Sequence, residues 1–281
     1  MKRFFGLNAS FSLLLAFLLS GCFSPFFHPS PQAGVTPDFF ELSYERRTLK
    51  TEDGEQLYAW LIPATQKPKA TVLFLHGNAG NISTHLPSIF WLPSRGFHVL
   101  SVDYRGFGDS TGEPSIEGAL IDAQTALAYT LNDPMLGSLP VIVFGQSMGG
   151  ALAVTAISQS QTQNRLAGVA IDGSFSSFNQ IASEVAKRSW VTWLFHPLAG
   201  RLAYERLDPV RHIGSLSPLP ILIMHGDRDP VVGYHHAYTL YEAAKEPKEL
   251  WINFGGGHIN SLIDKTSRDR FAEKIEAMIA Q

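Results

Sequence analysis

The chain has 281 residues, of which 45% are hydrophobic, enough for one large globular domain with a sizeable core. A formal net charge of −3 leaves no basic footprint for nucleic acid. The single cysteine, Cys22, excludes an internal disulfide and any Cys-based zinc site.

At the N-terminus, Lys2 and Arg3 precede an apolar run from Phe11 to Leu19, broken only by Ser12. The run is too short for an ordinary transmembrane helix and has the proportions of a signal-peptide core. It ends in Leu19-Ser20-Gly21-Cys22, which resembles the lipobox of bacterial lipoproteins. That resemblance implies a leader over residues 1–21, cleavage after Gly21, and a Cys22 thiol carrying palmitate-like acyl chains. Phe23, in place of an aspartate, implies sorting to the outer membrane facing the periplasm if the cell is Gram-negative. A plain secretory signal with an incidental cysteine is the competing reading. Residues 22–37 carry Pro25, Pro29, Pro31, Gly34 and Pro37 without helical or strand period, the composition of a tether. Phe26 and Phe27 in it are lipid contacts, domain contacts or plain tether residues.

The domain is expected from residue 38 to 281. Residues 42–51 and 56–62 read as two strands joined at Glu52-Asp53-Gly54-Glu55. Residues 71–75 are continuously apolar, as a central parallel strand covered on both faces should be. A glycine-rich turn, His76-Gly77-Asn78-Ala79-Gly80-Asn81, follows. A helix is predicted over 83–94, a strand over 99–102, and a helix over 116–131 starting near Ser115. The apolar run Val141-Ile142-Val143-Phe144 leads directly into Gly145-Gln146-Ser147-Met148-Gly149 and then a small-residue helix. This is the strand–turn–helix context of a nucleophile elbow, with glycines where side chains would strike the neighbouring strand and helix. Further strands are predicted over 167–171, 221–224 and 250–254, with helices over 234–244 and 263–279. Residues 175–216 lack a strand-like run and carry Trp190, Trp193, Phe195 and Tyr204. Strands alternating with helices predict a mainly parallel sheet with helices on both faces.

In such sheets the site lies at the carboxyl ends of the strands. The candidates there are Asn78, Asp103, Ser147, Asp172, Asp229 and His258. A serine hydroxyl needs a base, and the base needs a partner that fixes its tautomer and stabilises its cation. A serine, an acid and a histidine follow successive strands in that order.

The motifs Leu75 to Asn81, Asp103 to Ser110, Gly145 to Gly150 and His225 to Val232 together resemble the Bem46-like serine hydrolases, relatives of prolyl-oligopeptidase and dienelactone-hydrolase catalytic domains. The resemblance implies the α/β-hydrolase fold with a small cap insertion after the sixth strand, over 175–216. It implies Ser147 as nucleophile, His258 as general base and acid, and Asp229 as orienting carboxylate. The backbone N–H groups of Met148 and Asn78 would form the oxyanion hole. Asp172 is the alternative acid, since some hydrolases of this fold take it from the preceding strand. His76 and His225 are expected to be structural, and Arg105 and Asp109 to fix loops, with substrate contact by Arg105 the lesser reading. The cap aromatics line an acyl pocket or pack the cap onto the core.

The implied reaction cleaves an ester, thioester or amide through an acyl-enzyme, with no cofactor and no metal. An esterase is the simplest form. A peptidase or an acyltransferase would use the same residues, and a non-catalytic scaffold lipoprotein is the alternative of a different class. His235-His236 carry no His-Glu-x-x-His pattern and no carboxylate partner in sequence. The expected partners are a small-molecule, acyl or peptide substrate and, through Cys22, a membrane. Oligomeric state is left open.

Overall fold

A computed structural model describes residues 27–30, 34–188 and 204–280. Eight strands form one sheet: β1 (Glu45–Lys50), β2 (Gln56–Ile62), β3 (Ala70–Leu75), β4 (Phe97–Val102), β5 (Val141–Gln146), β6 (Gly168–Asp172), β7 (Ile221–Gly226) and β8 (Lys248–Asn253). Their order across the sheet is β8-β7-β6-β5-β3-β4-β2-β1. The first two are antiparallel to their neighbours and the rest run parallel. β3, β5 and β7 are buried along their whole length, which is why they read as unbroken apolar runs.

Successive residues of a strand point to opposite faces. Leu73, Val143, Ile171 and Ile223 therefore pack into one core, with α2 (Ile116–Asn132), α3 (Met148–Ser160) and α6 (His235–Ala243). Phe74, Phe144, Ala170 and Leu222 pack into the other, with α1 (Ile82–His85) and α7 (Lys265–Ile279). The helix starts follow capping chemistry: Ser115 accepts from the Gly118 N–H at α2, and Asp264 forms a capping box with Ser267 at α7.

The predicted helix over 83–94 is not continuous. Only α1 and two 3-10 turns, Leu86–Ser88 and Pro93–Arg95, form there. Pro87 and Pro93 each lack an N–H and crowd the preceding turn, so local covalent geometry overrides the periodicity. Between β6 and β7 lie α4 (Phe178–Arg188), a 3-10 turn at Glu205–Leu207, α5 (Pro209–His212) and a second 3-10 turn at Ile213–Leu216. Trp190, Trp193 and Phe195 of the expected cap, and Cys22 with its leader, fall outside the described residues. Tyr204 is half-buried, its ring 6.5 Å from that of Phe178. Among the described residues no helix is long and apolar enough to cross a membrane.

One segment departs from its reading as a spacer. His28–Pro29 pairs in parallel with Ala79–Gly80, and the buried Phe27 ring lies edge-on to Phe107. The stretch thus adds contacts to the domain ahead of residue 38.

Candidate active site

Ser147 sits between β5 and α3 with φ 52° and ψ −118°. A non-glycine residue at positive φ is strained, and such strain gathers at functional turns. The flanking glycines are required by contact. A Cβ on Gly145 would lie 2.5 Å from the Gly149 carbonyl oxygen. One on Gly149 would lie 2.1 Å from the Leu75 oxygen, on the neighbouring strand β3. The Ser147 N–H is tied to the Asp172 carbonyl at 2.8 Å, which couples the elbow to β6. Met148 opens α3, so its N–H is one of the first-turn donors that have no acceptor within the helix.

His258 lies in the turn after β8, and its Nδ1 donates to Asp229 Oδ2 at 2.7 Å. A carboxylate only accepts, so Nδ1 carries the proton and Nε2 presents a lone pair. Asp229 is itself held from every side. Its Oδ1 accepts from the N–H groups of Val231 and Val232 at 2.7 and 2.9 Å, and the His225 ring stands 3.3 Å from Oδ2. Burial would raise the Asp229 carboxyl, but the His225 and His258 donors outweigh it and hold the group well below the usual carboxylate range. Ile259, next to His258, adopts φ 49°, a conformation unfavourable for a β-branched side chain.

Asp172 takes a different place. It is fully buried, its Oδ1 accepts from the Ser261 hydroxyl at 2.6 Å, and burial raises its pKa. It makes no hydrogen bond to His258, so Asp229 is the acid the fold joins to the histidine. His76 donates from Nδ1 to the Gly77 carbonyl at 2.7 Å, and His225 donates from Nε2 to the Val232 carbonyl at 2.9 Å. Arg105 spans Asp122 on α2 and Asp53 in the β1–β2 turn, at 2.8 and 2.7 Å. Its donors are committed to loop fixing.

Asn78 lies in the turn between β3 and α1, directly across from the elbow. The would-be Cβ of Gly77 stands 3.5 Å from the Ser147 Cβ and 3.4 Å from the His85 ring. His85 was not singled out from sequence. Its Nε2 donates to the Ala79 carbonyl at 3.0 Å, and burial lowers its pKa to about 4, keeping it neutral at pH 7. The only sequence signal for it is its position one turn past the N-cap, Asn81.

Glu184 was also missed. It stands on α4, with its carboxylate 3.2 Å from His235 Nε2 and 3.4 Å from His236 Nε2. The three side chains have a metal-like spacing, all ligand atoms lying within 4.8 Å of one another. The wiring of His236 opposes that use. The Ser176 N–H points at its Nδ1 at 3.2 Å, so the proton sits on Nε2 and donates to Glu184. Together with Arg188, which donates to the Pro230 and Val231 carbonyls at 2.7 Å each, this cluster ties α4 to the loop carrying Asp229. A surface hollow lined by Leu49, Thr51, Gln124 and Tyr129 contains none of the site residues.

The sheet order and the strained serine turn define an α/β hydrolase. The model of the family described as serine aminopeptidase, S33, matches residues 66–216, and the chain belongs to this family. It is 37% identical over 227 residues to YfhR of Escherichia coli O157:H7, covering 79% of this chain and 76% of that one. To protein bem46 of Schizosaccharomyces pombe it is 31% identical, covering 78% and 72%. Among solved structures, an esterase of Pyrococcus furiosus superposes with a TM-score of 0.72 at 19% identity, over 91% of this chain and 97% of the other.

Proposed function

We propose that this hydrolase acts through a serine nucleophile on an ester, with thioesters and amides as further substrates of the same chemistry. The observation that carries the reading is the 2.7 Å bond from His258 Nδ1 to Asp229, on the same sheet end as a strained Ser147. His258 Nε2 takes the Ser147 proton as Oγ bonds to the acyl carbon. The tetrahedral oxyanion is held by the N–H groups of Met148 and Asn78. Donation of the proton to the leaving oxygen breaks the acyl–oxygen bond, and water then repeats the sequence to free the acid and restore Ser147.

The test is labelling with a fluorophosphonate and turnover of short acyl esters. Both are expected in the wild type and absent from Ser147→Ala. A folded wild type that neither labels nor turns over overturns the proposal and returns the protein to the scaffold class. The family description favours a second reading, cleavage at an amino terminus. Faster turnover of aminoacyl anilides than of acyl esters would select it. We further propose that Cys22 is acylated and holds the domain at a bacterial membrane, the outer one in a Gram-negative cell. The support is the apolar run ending in Leu19-Ser20-Gly21-Cys22.

A further inference from the structure

The turn assigned above to the oxyanion hole begins at His76, whose Nδ1 donates to the Gly77 carbonyl at 2.7 Å. It contains Gly77 and Gly80, the latter at φ 76°, and glycines leave a turn conformationally soft. It nevertheless must keep the Asn78 N–H aimed at one point, because a donor helps only where it meets the developing charge. Three successive carbonyls of this turn are each engaged from outside it. Asn78 O accepts from the His28 N–H at 2.8 Å, Ala79 O from the His85 ring at 3.0 Å, and Gly80 O from the Ser30 N–H at 2.9 Å. Two of the three donors belong to the N-terminal segment.

That segment is itself fastened. The Asn81 side chain donates to the Ser30 carbonyl at 2.8 Å, and the Gly34 N–H reaches Ser83 Oγ at 2.5 Å. Phe27 is 7% exposed, 6.1 Å from Phe107, whose ring in turn lies 5.2 Å from His76 at the head of the turn. The His28 side chain is exposed, so what this residue supplies is its backbone. A bond to the Asn78 carbonyl fixes the peptide plane that follows Asn78. It thereby limits the rotations that would swing the Asn78 N–H away from Ser147.

We propose that Phe27–Ser30, with Gly34, is a positioning strap. It holds the turn Gly77–Gly80 in the geometry that stabilises the oxyanion, so the active site extends into the segment that leads from the N-terminus. The proposal rests on the serine-hydrolase reading and on Asn78 as an oxyanion donor.

The test uses the full chain and pairs of substitutions that differ only in the backbone N–H. His28→Pro and Ser30→Pro remove the donors; His28→Ala and Ser30→Ala keep them. Each proline variant is expected to lose about 10–100-fold in kcat and in the rate of fluorophosphonate labelling. KM should change little, and Tm should stay within about 3 °C of wild type. The alanine partners should recover most of that loss. If the proline variants do not fold, Phe27→Ala, which removes the buried ring and its contact with Phe107 but leaves every backbone N–H of the strap, is expected to lower kcat selectively. Proline variants, or Phe27→Ala in their place, that turn over like wild type while Ser147→Ala is dead would overturn the strap and leave the nucleophile intact. So would equal losses in the alanine and proline variants. An inactive, unlabelled wild type would overturn the reading beneath it.

Discussion

Asp172 closes β6 and Asp229 follows the adjacent strand, yet their surroundings push the two carboxyls in opposite directions. Asp172 accepts from Ser261 and lies near His225 and His258, but burial outweighs these contacts and its pKa rises. Asp229 is also buried, but two backbone N–H groups and two histidines hold its charge. Replacing Asp229 by Asn swaps the acceptor for a group that can donate to Nδ1 and favours the wrong tautomer. We expect Asp229→Asn to lower kcat by about 10³–10⁴-fold. Asp172→Asn keeps an oxygen for Ser261 and should stay within about tenfold of wild type, an order estimated from its not touching the base. Stability supplies an independent check. The folded-state pKa of Asp229 lies below its unfolded value, so its contribution is present above the ordinary carboxylate range and is lost as pH falls through the folded pKa. The Tm gap between wild type and Asp229→Asn should therefore narrow on acidification from pH 6 toward pH 2. A gap that widens on acidification would contradict this electrostatic account.

At the scale of elements, the Arg105 side chain joins the β1–β2 turn to α2. The Asp122 side chain beneath it is fully buried, and the Arg105 side chain is 9% exposed. Burial raises the Asp122 pKa against the pull of Arg105, so the pair is held at a desolvation cost. Arg105→Ala leaves Asp122 uncompensated and should destabilise the fold by about 3–5 kcal/mol in urea titrations at pH 7. The double variant Arg105→Ala, Asp122→Asn should regain a substantial part of that loss, because the stranded charge is gone. A double variant no more stable than the single one would show that packing, not charge, fixes this loop. The α4 contacts with the Asp229 loop follow the same pattern: long side chains bridge elements that lie about fifty residues apart in sequence, such as Glu184 and His235.

The whole molecule joins the proposed anchor to the proposed site. Cys22 and Phe27 are five peptide steps apart, so at full extension they span at most about 18 Å. An acylated Cys22 would therefore hold the Phe27–Ser30 strap, and the turn it grips, close to the lipid surface. Wild type is expected in the membrane fraction after cell lysis and Cys22→Ser outside it. Purified Cys22→Ser should still hydrolyse soluble short esters, since the strap begins beyond the anchor. Membrane recovery of Cys22→Ser equal to wild type would remove the anchor from this picture.

Much of the fold was legible because it is written in local, repeating terms. Continuous apolar runs marked β3, β5 and β7, and the glycines around Ser147 marked a turn that only they can make, since any Cβ there meets a backbone. The order of Ser147, Asp229 and His258, after β5, β7 and β8, was readable for the same reason. What the chain could not show was which distant groups meet. His85 beside the Gly77–Gly80 turn, Glu184 against the histidine pair, and the choice of Asp229 over Asp172 as partner of His258 depend on packing between elements far apart in sequence. The strap was hidden most completely. Its contribution comes from backbone N–H groups, which every residue but proline carries, and only the tertiary structure determines which carbonyls they reach.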